Sequence, residues 1–69
     1  MRDPSSIKYS DLAQILAYFG YVEVSTKGSH VKSKHPQMEY DLVVPVHRNE
    51  CKAFYKMEAR KRIKLLIEN

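Results

Sequence analysis

A glycine, Gly20, separates two different hydrophobic periods in the first third of this chain. Ahead of it, Leu12, Ile15, Leu16 and Phe19 fall at i, i+3, i+4 and i+7, the spacing of one face of a helix. Ser10 is a good N-cap, and Asp11 places an anion in the first turn, where the helix dipole favours one. Gly20 supplies the left-handed residue on which such helices end. Behind it the period drops to two. Val22, Val24 and Thr26 alternate with Tyr21, Glu23, Ser25 and Lys27, the pattern of a half-buried strand. A chain that changes period at a glycine must combine a helix with a sheet.

The remaining punctuation completes the order. Gly28-Ser29 reads as a tight turn, a second strand runs from His30 to about His35, and Pro36 stops it. Gln37 to Glu39 form a loop, and Tyr40 to Val46 make a third strand rich in β-branched residues. The C-terminal segment carries an apolar stripe of Tyr55, Ala59, Ile63 and Leu66, with Ile67 beside it and Arg60, Lys61 and Lys64 turned away. The expected fold is α/β in the α+β sense, with the order α-β-β-β-α. Short turns permit an antiparallel three-stranded meander with both helices on one face and the other face wet. Residues 1–9, with the turn-prone Asp3-Pro4-Ser5-Ser6, read as a lead-in, and residues 10–69 as a single domain.

With 69 residues the chain allows one domain with a thin core, since a chain of this size buries only about 60% of the surface it exposes when unfolded. Small domains compensate with disulfides, a metal or a partner. Cys51 is the single cysteine, which excludes an internal disulfide and points to a reducing compartment. A partner chain or a homo-oligomer is therefore expected to add stability. Apolar runs fall far short of the roughly 20 residues that span a bilayer. The segment from Met1 to Tyr9 offers no apolar stretch of the signal-peptide kind. The expected location is the cytoplasm, away from membranes. Twelve Lys and Arg against 8 Asp and Glu give a net charge of +4, which favours polyanionic partners through counterion release.

The segment from Lys27 to Pro36 could carry chemistry. Strand alternation puts His30, Lys32 and Lys34 on one face and Val31, Ser33 and His35 on the other. Val31 is the natural core residue, so His30 and its lysines face water, and Lys27 can join them across the turn. An imidazole among ammonium groups suits phosphodiester cleavage in RNA, which carries its own nucleophile in the 2′-hydroxyl. That reaction needs a base for the 2′ proton, an acid for the leaving 5′-oxygen and cations for the charge on phosphorus. Histidine, with an ordinary pKa of about 6.5, serves either proton transfer. The plainer reading is a polar strand start on a lysine-rich, solvated sheet face.

Other candidates are weaker. His30 and His35 lie on opposite strand faces, and His47 follows the third strand with no carboxylate or thiol at ligand spacing, so neither a metal nor another cofactor is expected. His47 is either a second proton-transfer residue or a polar cap after Pro45-Val46. Cys51 reads as buried filler, and the five tyrosines as packing. The cluster Arg60-Lys61-Arg62-Lys64 either tracks a phosphate backbone or is the wet side of an amphipathic helix.

Four short motifs stand in order: Phe19-Gly20-Tyr21-Val22, Lys27-Gly28-Ser29-His30, Lys34-His35-Pro36 and Val44-Pro45-Val46-His47. In letters and spacing this arrangement resembles the HicA (YcfA-like) toxins over roughly residues 10 to 50. The resemblance implies a fold like the double-stranded RNA-binding domain and metal-independent cleavage of mRNA. It also implies a catalytic histidine at the Gly-Ser-His position, here His30, and neutralisation by a HicB-like antitoxin. Lys27, Gly28, Ser29, Lys32, Lys34, Arg60 and Lys61 are the expected RNA contacts, with His35 and His47 as candidate assistants. After His47 the chain departs from the family pattern: Asn49-Glu50-Cys51-Lys52 fits in part, and the following helix lacks the usual preceding glycine turn. Two alternatives stand beside the nuclease. One is a non-catalytic RNA-binding module of the same fold; the other is a protein-interaction domain whose basic face binds an acidic partner.

Overall fold

A computed structural model describes residues 5–68. Seven elements follow one another: β1 (Ser6–Lys8), α1 (Tyr9–Tyr18), β2 (Val22–Lys27), β3 (His30–Lys34), β4 (Leu42–Pro45), β5 (Glu50–Lys52) and α2 (Ala53–Glu68). Strands β2, β3 and β4 form an antiparallel sheet in that spatial order, with β3 central. The expected helix–three strands–helix frame is therefore present.

Alternation along the central strands decides which face is covered. Val31 and Ser33 of β3 are buried with Leu42 and Val44 of β4, whereas His30, Lys32, Lys34 and Val43 are exposed. Leu12 and Leu16 of α1, Tyr21, Leu42 and Val44, Cys51 of β5 and Ala59 of α2 form one buried cluster. Both helices thus lie on the Val31–Val44 side. Burying a Leu- or Val-sized side chain contributes about 1.5–3 kcal/mol, so these few residues supply most of the apolar stabilisation of a chain this short.

Helix α1 ends as its sequence predicts. Gly20 has φ +96°, its N–H donates to the Ala17 carbonyl at 3.1 Å, and the Tyr21 N–H donates to the Leu16 carbonyl at 2.9 Å. This is the paired bonding of a Schellman cap. The position is also crowded, because a Cβ here would stand 3.0 Å from His35 Nε2.

The start of α1 differs from the sequence reading. Residues 6–8 are not a lead-in: they pair with β5 as Ser6↔Lys52, Ile7↔Cys51 and Lys8↔Glu50. Apolar Ile7 meets apolar Cys51 while their neighbours face outward. Asp3 and Pro4 of the expected turn lie outside the described residues. Ser10 is not the N-cap, since the helix already begins at Tyr9. Its first N–H groups are satisfied from a distance by Asn49. The Tyr9 N–H donates to the Asn49 carbonyl at 2.8 Å, the Ser10 N–H donates to Asn49 Oδ1 at 3.0 Å, and Asn49 Nδ2 donates to Ser10 Oγ at 3.1 Å. Asn49 sits in the hairpin turn from His47 to Glu50, where Arg48 has φ 50° and Asn49 φ 62°. That left-handed pair is the signature of a type I′ turn, and Asn tolerates it better than most residues.

Strand β2 also differs. All six of its residues are exposed, not half of them. It is an edge strand, and an irregularity between Glu23 and Ser25 breaks its alternation: Glu23 pairs with Ser33, but Ser25 pairs with Lys32. The core is centred on β3 and β4, beyond the reach of Val22 and Val24. Strand β4 is shorter than the expected Tyr40–Val46, and α2 begins directly after β5.

Replacing Asn49 with Ala removes the remote cap and leaves a Cβ-bearing, non-Asn residue at φ 62°. We expect a loss of about 1–2 kcal/mol in chemical denaturation, and a smaller loss for Ser10→Ala. A larger effect for Ser10→Ala would restore the local cap that the sequence predicts.

Candidate active site

The site begins at the β2–β3 hairpin. Lys27 and His30 are paired across a two-residue turn whose first central residue, Gly28, has φ +58°. Glycine at that position with a positive φ fits the type II′ turn that suits the twist of a hairpin. No atom lies within 4 Å of where a Gly28 Cβ would stand, so backbone conformation, not space, selects glycine here. The neighbouring Ser29 carbonyl accepts from the Val46 N–H at 2.6 Å, tying the turn to the end of β4.

Pairing in the sheet then fixes the neighbours of His30. It is exposed and stands between Lys27 on β2 and Pro45 on β4. Lys32 stands between Ser25 and Val43, and Lys34 opposite Val22. Directly paired residues point to the same face with Cβ atoms about 4.5–5.5 Å apart. His30, Lys27, Lys32 and Lys34 therefore share one solvent-facing surface, on the side of the sheet away from both helices. Asp41, just before β4, reaches this surface. It accepts ion pairs from Lys34 at 3.6 Å and Lys32 at 4.0 Å. Pairs this exposed are worth about 0–1 kcal/mol, so Asp41 orders the two ammonium groups without locking them away from a phosphate. Sequence reasoning passed over Asp41; its one signal was an acid directly before a strand that pairs with the lysine strand.

The other candidate residues are placed elsewhere. His35 is half-buried on the helix side. Its Nδ1 accepts from the Gln37 N–H at 3.0 Å, which leaves Nε2 to donate to the Phe19 carbonyl at 2.9 Å. These two bonds clamp the end of β3 to the end of α1. The ring also packs on Tyr21, 5.1 Å away between centroids. His35 is thus a structural clamp and does not join His30. His47 is exposed and opens the I′ turn, its N–H donating to the Glu50 carbonyl at 2.9 Å. It follows the His30 partner Pro45 by two positions, so it belongs to the same end of the sheet. Arg60 and Lys61 line a groove between α1 and α2, in the helix layer on the opposite side from His30.

Beneath the sheet, Tyr9 ties α1 to β2 by donating to Glu23 Oε1 at 2.8 Å. Burial, and then the Glu23 carboxylate, push its phenol from 10.0 up to about 12; a hydrogen bond from buried Ser33 pulls the other way. Burial likewise raises the Cys51 thiol, keeping it protonated and inert. Among the described residues no three His, Cys, Asp or Glu side chains gather as a metal site. No helix among them is long and apolar enough to cross a membrane.

The chain is a small basic α+β domain with helices on one side of its sheet and an imidazole among lysines on the other. The chain is a member of the HicA family, described as the HicA toxin of bacterial toxin–antitoxin systems, whose sequence profile matches residues 9–66. It is accordingly a toxin-type protein with an antitoxin as its expected counterpart. No curated protein and no solved structure matches the chain. The matched span runs to residue 66, past the Asn49–Lys52 segment where the motif pattern departs.

The Tyr9 phenol yields a pH prediction. Its pKa rises on folding, so the stability it contributes is complete below pH 10 and is lost as pH rises from 10.0 towards about 12. Tyr9→Phe has no phenol to ionise. In denaturation experiments the wild type is expected to exceed Tyr9→Phe below pH 10, and the gap is expected to close on approaching pH 12.

Proposed function

We propose that this toxin is an endoribonuclease that cleaves mRNA without a metal, using His30 as its proton-transfer residue. One observation carries the proposal: an exposed imidazole stands in register with Lys27, on the same face as Lys32 and Lys34. RNA laid on this face would set a phosphate among the ammonium groups and a ribose beside His30.

The reaction balances with the groups at hand. The 2′-oxygen attacks the adjacent phosphorus while its proton passes to a base. The bond from phosphorus to the 5′-oxygen breaks, and that oxygen takes up a proton. The products are a 2′,3′-cyclic phosphate and a 5′-hydroxyl end. His30 performs one proton transfer, and His47 at the same end of the sheet, or water, performs the other. Lys27, Lys32 and Lys34 stabilise the extra negative charge on the phosphorane. The open backbone at Gly28-Ser29 lets the RNA chain approach the hairpin closely. DNA lacks the 2′-hydroxyl and is not cut. In the cytoplasm a HicB-like antitoxin would silence the protein by covering this face, where an acidic surface suits the lysines.

The decisive comparison is between purified wild type and His30→Ala acting on end-labelled RNA in excess chelator. A lost general acid or base costs about 10²–10⁴-fold in rate, so His30→Ala should cut at most about a hundredth as fast while binding RNA and folding as before. Equal cutting by the two proteins, or cutting that chelator abolishes, contradicts the proposal. RNA binding with no cutting by either protein would make the chain a non-catalytic RNA-binding module.

A further inference from the structure

On the helix side, far from His30, the two helices leave an open groove of about 510 Å³. Ile63 of α2 is its buried base. Ile15 and Phe19 of α1 form one wall, and Met57 and Ile67 of α2 the other. Met57 and Ile67 are 62% and 66% exposed and stand nearly three turns apart along α2. Arg60, Lys61 and Lys64 of α2 line the same groove, and Glu68, the one acid among the described residues that line it, is engaged with Lys64 at 3.8 Å. An apolar trough bordered by cations is thus in place, and no step of the RNA reaction uses it.

We propose that this groove docks an acidic amphipathic helix of a partner protein, at a surface separate from the His30 face. The groove matches the helix-in-groove mode, in which apolar residues at i, i+3, i+4 and i+7 of a partner helix fill the trough. Charge selects the occupant. A second copy of this chain, related by a two-fold axis, would bring Arg60, Lys61 and Lys64 against themselves, and like charges facing each other oppose association. RNA would satisfy the cations but leave Ile15, Met57 and Ile67 wet, since bases stack on aromatic rings and Phe19 is the one such ring in the trough. An acidic helix satisfies both the cations and the apolar floor. Because the helices and His30 lie on opposite sides of the sheet, the partner can hold this protein while leaving its basic face open. The proposal does not depend on the nuclease reading.

A synthetic helical peptide tests it, with Leu at i, i+3, i+4 and i+7 and Glu at the solvent positions, its affinity for the full chain measured by fluorescence anisotropy. Saturable binding is expected. It should weaken about tenfold or more in Met57→Glu and Ile67→Glu, both solvent-exposed positions that tolerate a polar residue. It should weaken similarly when the peptide's Glu residues are replaced by Lys, and be unchanged in His30→Ala. Several results overturn the proposal: a scrambled or Lys-substituted peptide binding equally well, binding unaltered by Met57→Glu and Ile67→Glu, or self-association of the chain that Met57→Glu abolishes. Displacement of the peptide by single-stranded RNA would also overturn it, because the groove would then be part of an RNA surface. Loss of RNA cutting with peptide binding intact would count against the nuclease reading alone.

Discussion

Everything in this domain depends on the backbone ladder that holds β3 between β2 and β4. With a strand on each side, β3 is pinned in register, and a one-residue slip would exchange its faces. Val31 and Ser33 would then turn to water, and His30, Lys32 and Lys34 would turn into the helix layer. Burying that much charge costs several kcal/mol per ion, far more than a small core can offset. The apolar face of one strand therefore fixes where its basic face points. The five residues of β3 face the core on one side and carry His30, Lys32 and Lys34 on the other.

A second constraint comes from the ribbon that the chain ends build outside the main sheet. β1 and β5 pair through Ile7 and Cys51, and the I′ turn ahead of β5 delivers Asn49 to the start of α1. The same turn begins at His47, immediately beyond the strand that borders His30. Helix capping, the edge of the core and one end of the candidate site thus share four residues of hairpin. His35 does the equivalent work at the other end, joining the close of β3 to the close of α1 where Gly20 leaves it room.

Much of this was legible because it is local. The end of α1 followed from Gly20, the strands from β-branched alternation and turn residues, and the face of His30 from counting by twos from Val31. What escaped was non-local or positional. Asn49 caps α1 from 39 residues away, and the three-residue strands β1 and β5 are too short to show a period. Strand β2 has the letters of a half-buried strand, but alternation alone does not say that a strand lies at an edge beyond the helices. His35 was assigned to the correct side of β3, yet its Phe19 and Gln37 partners follow from how the chain turns at Pro36. The Arg60–Lys64 cluster divided in the same way: its helix was readable, but the groove beside it exists only once α1 is in place.

The proposed nuclease requires the exposed face of β3 to be the surface that meets RNA. Titrating isotope-labelled protein with a 2′-O-methylated oligonucleotide, which binds but cannot be cut, and following backbone amide shifts by NMR tests this directly. The predicted result is shifts concentrated at residues 25–34 and 43–47, with α1 and the outer side of α2 quiet. Shifts centred on the helices, or none at oligonucleotide concentrations that saturate binding, would contradict it.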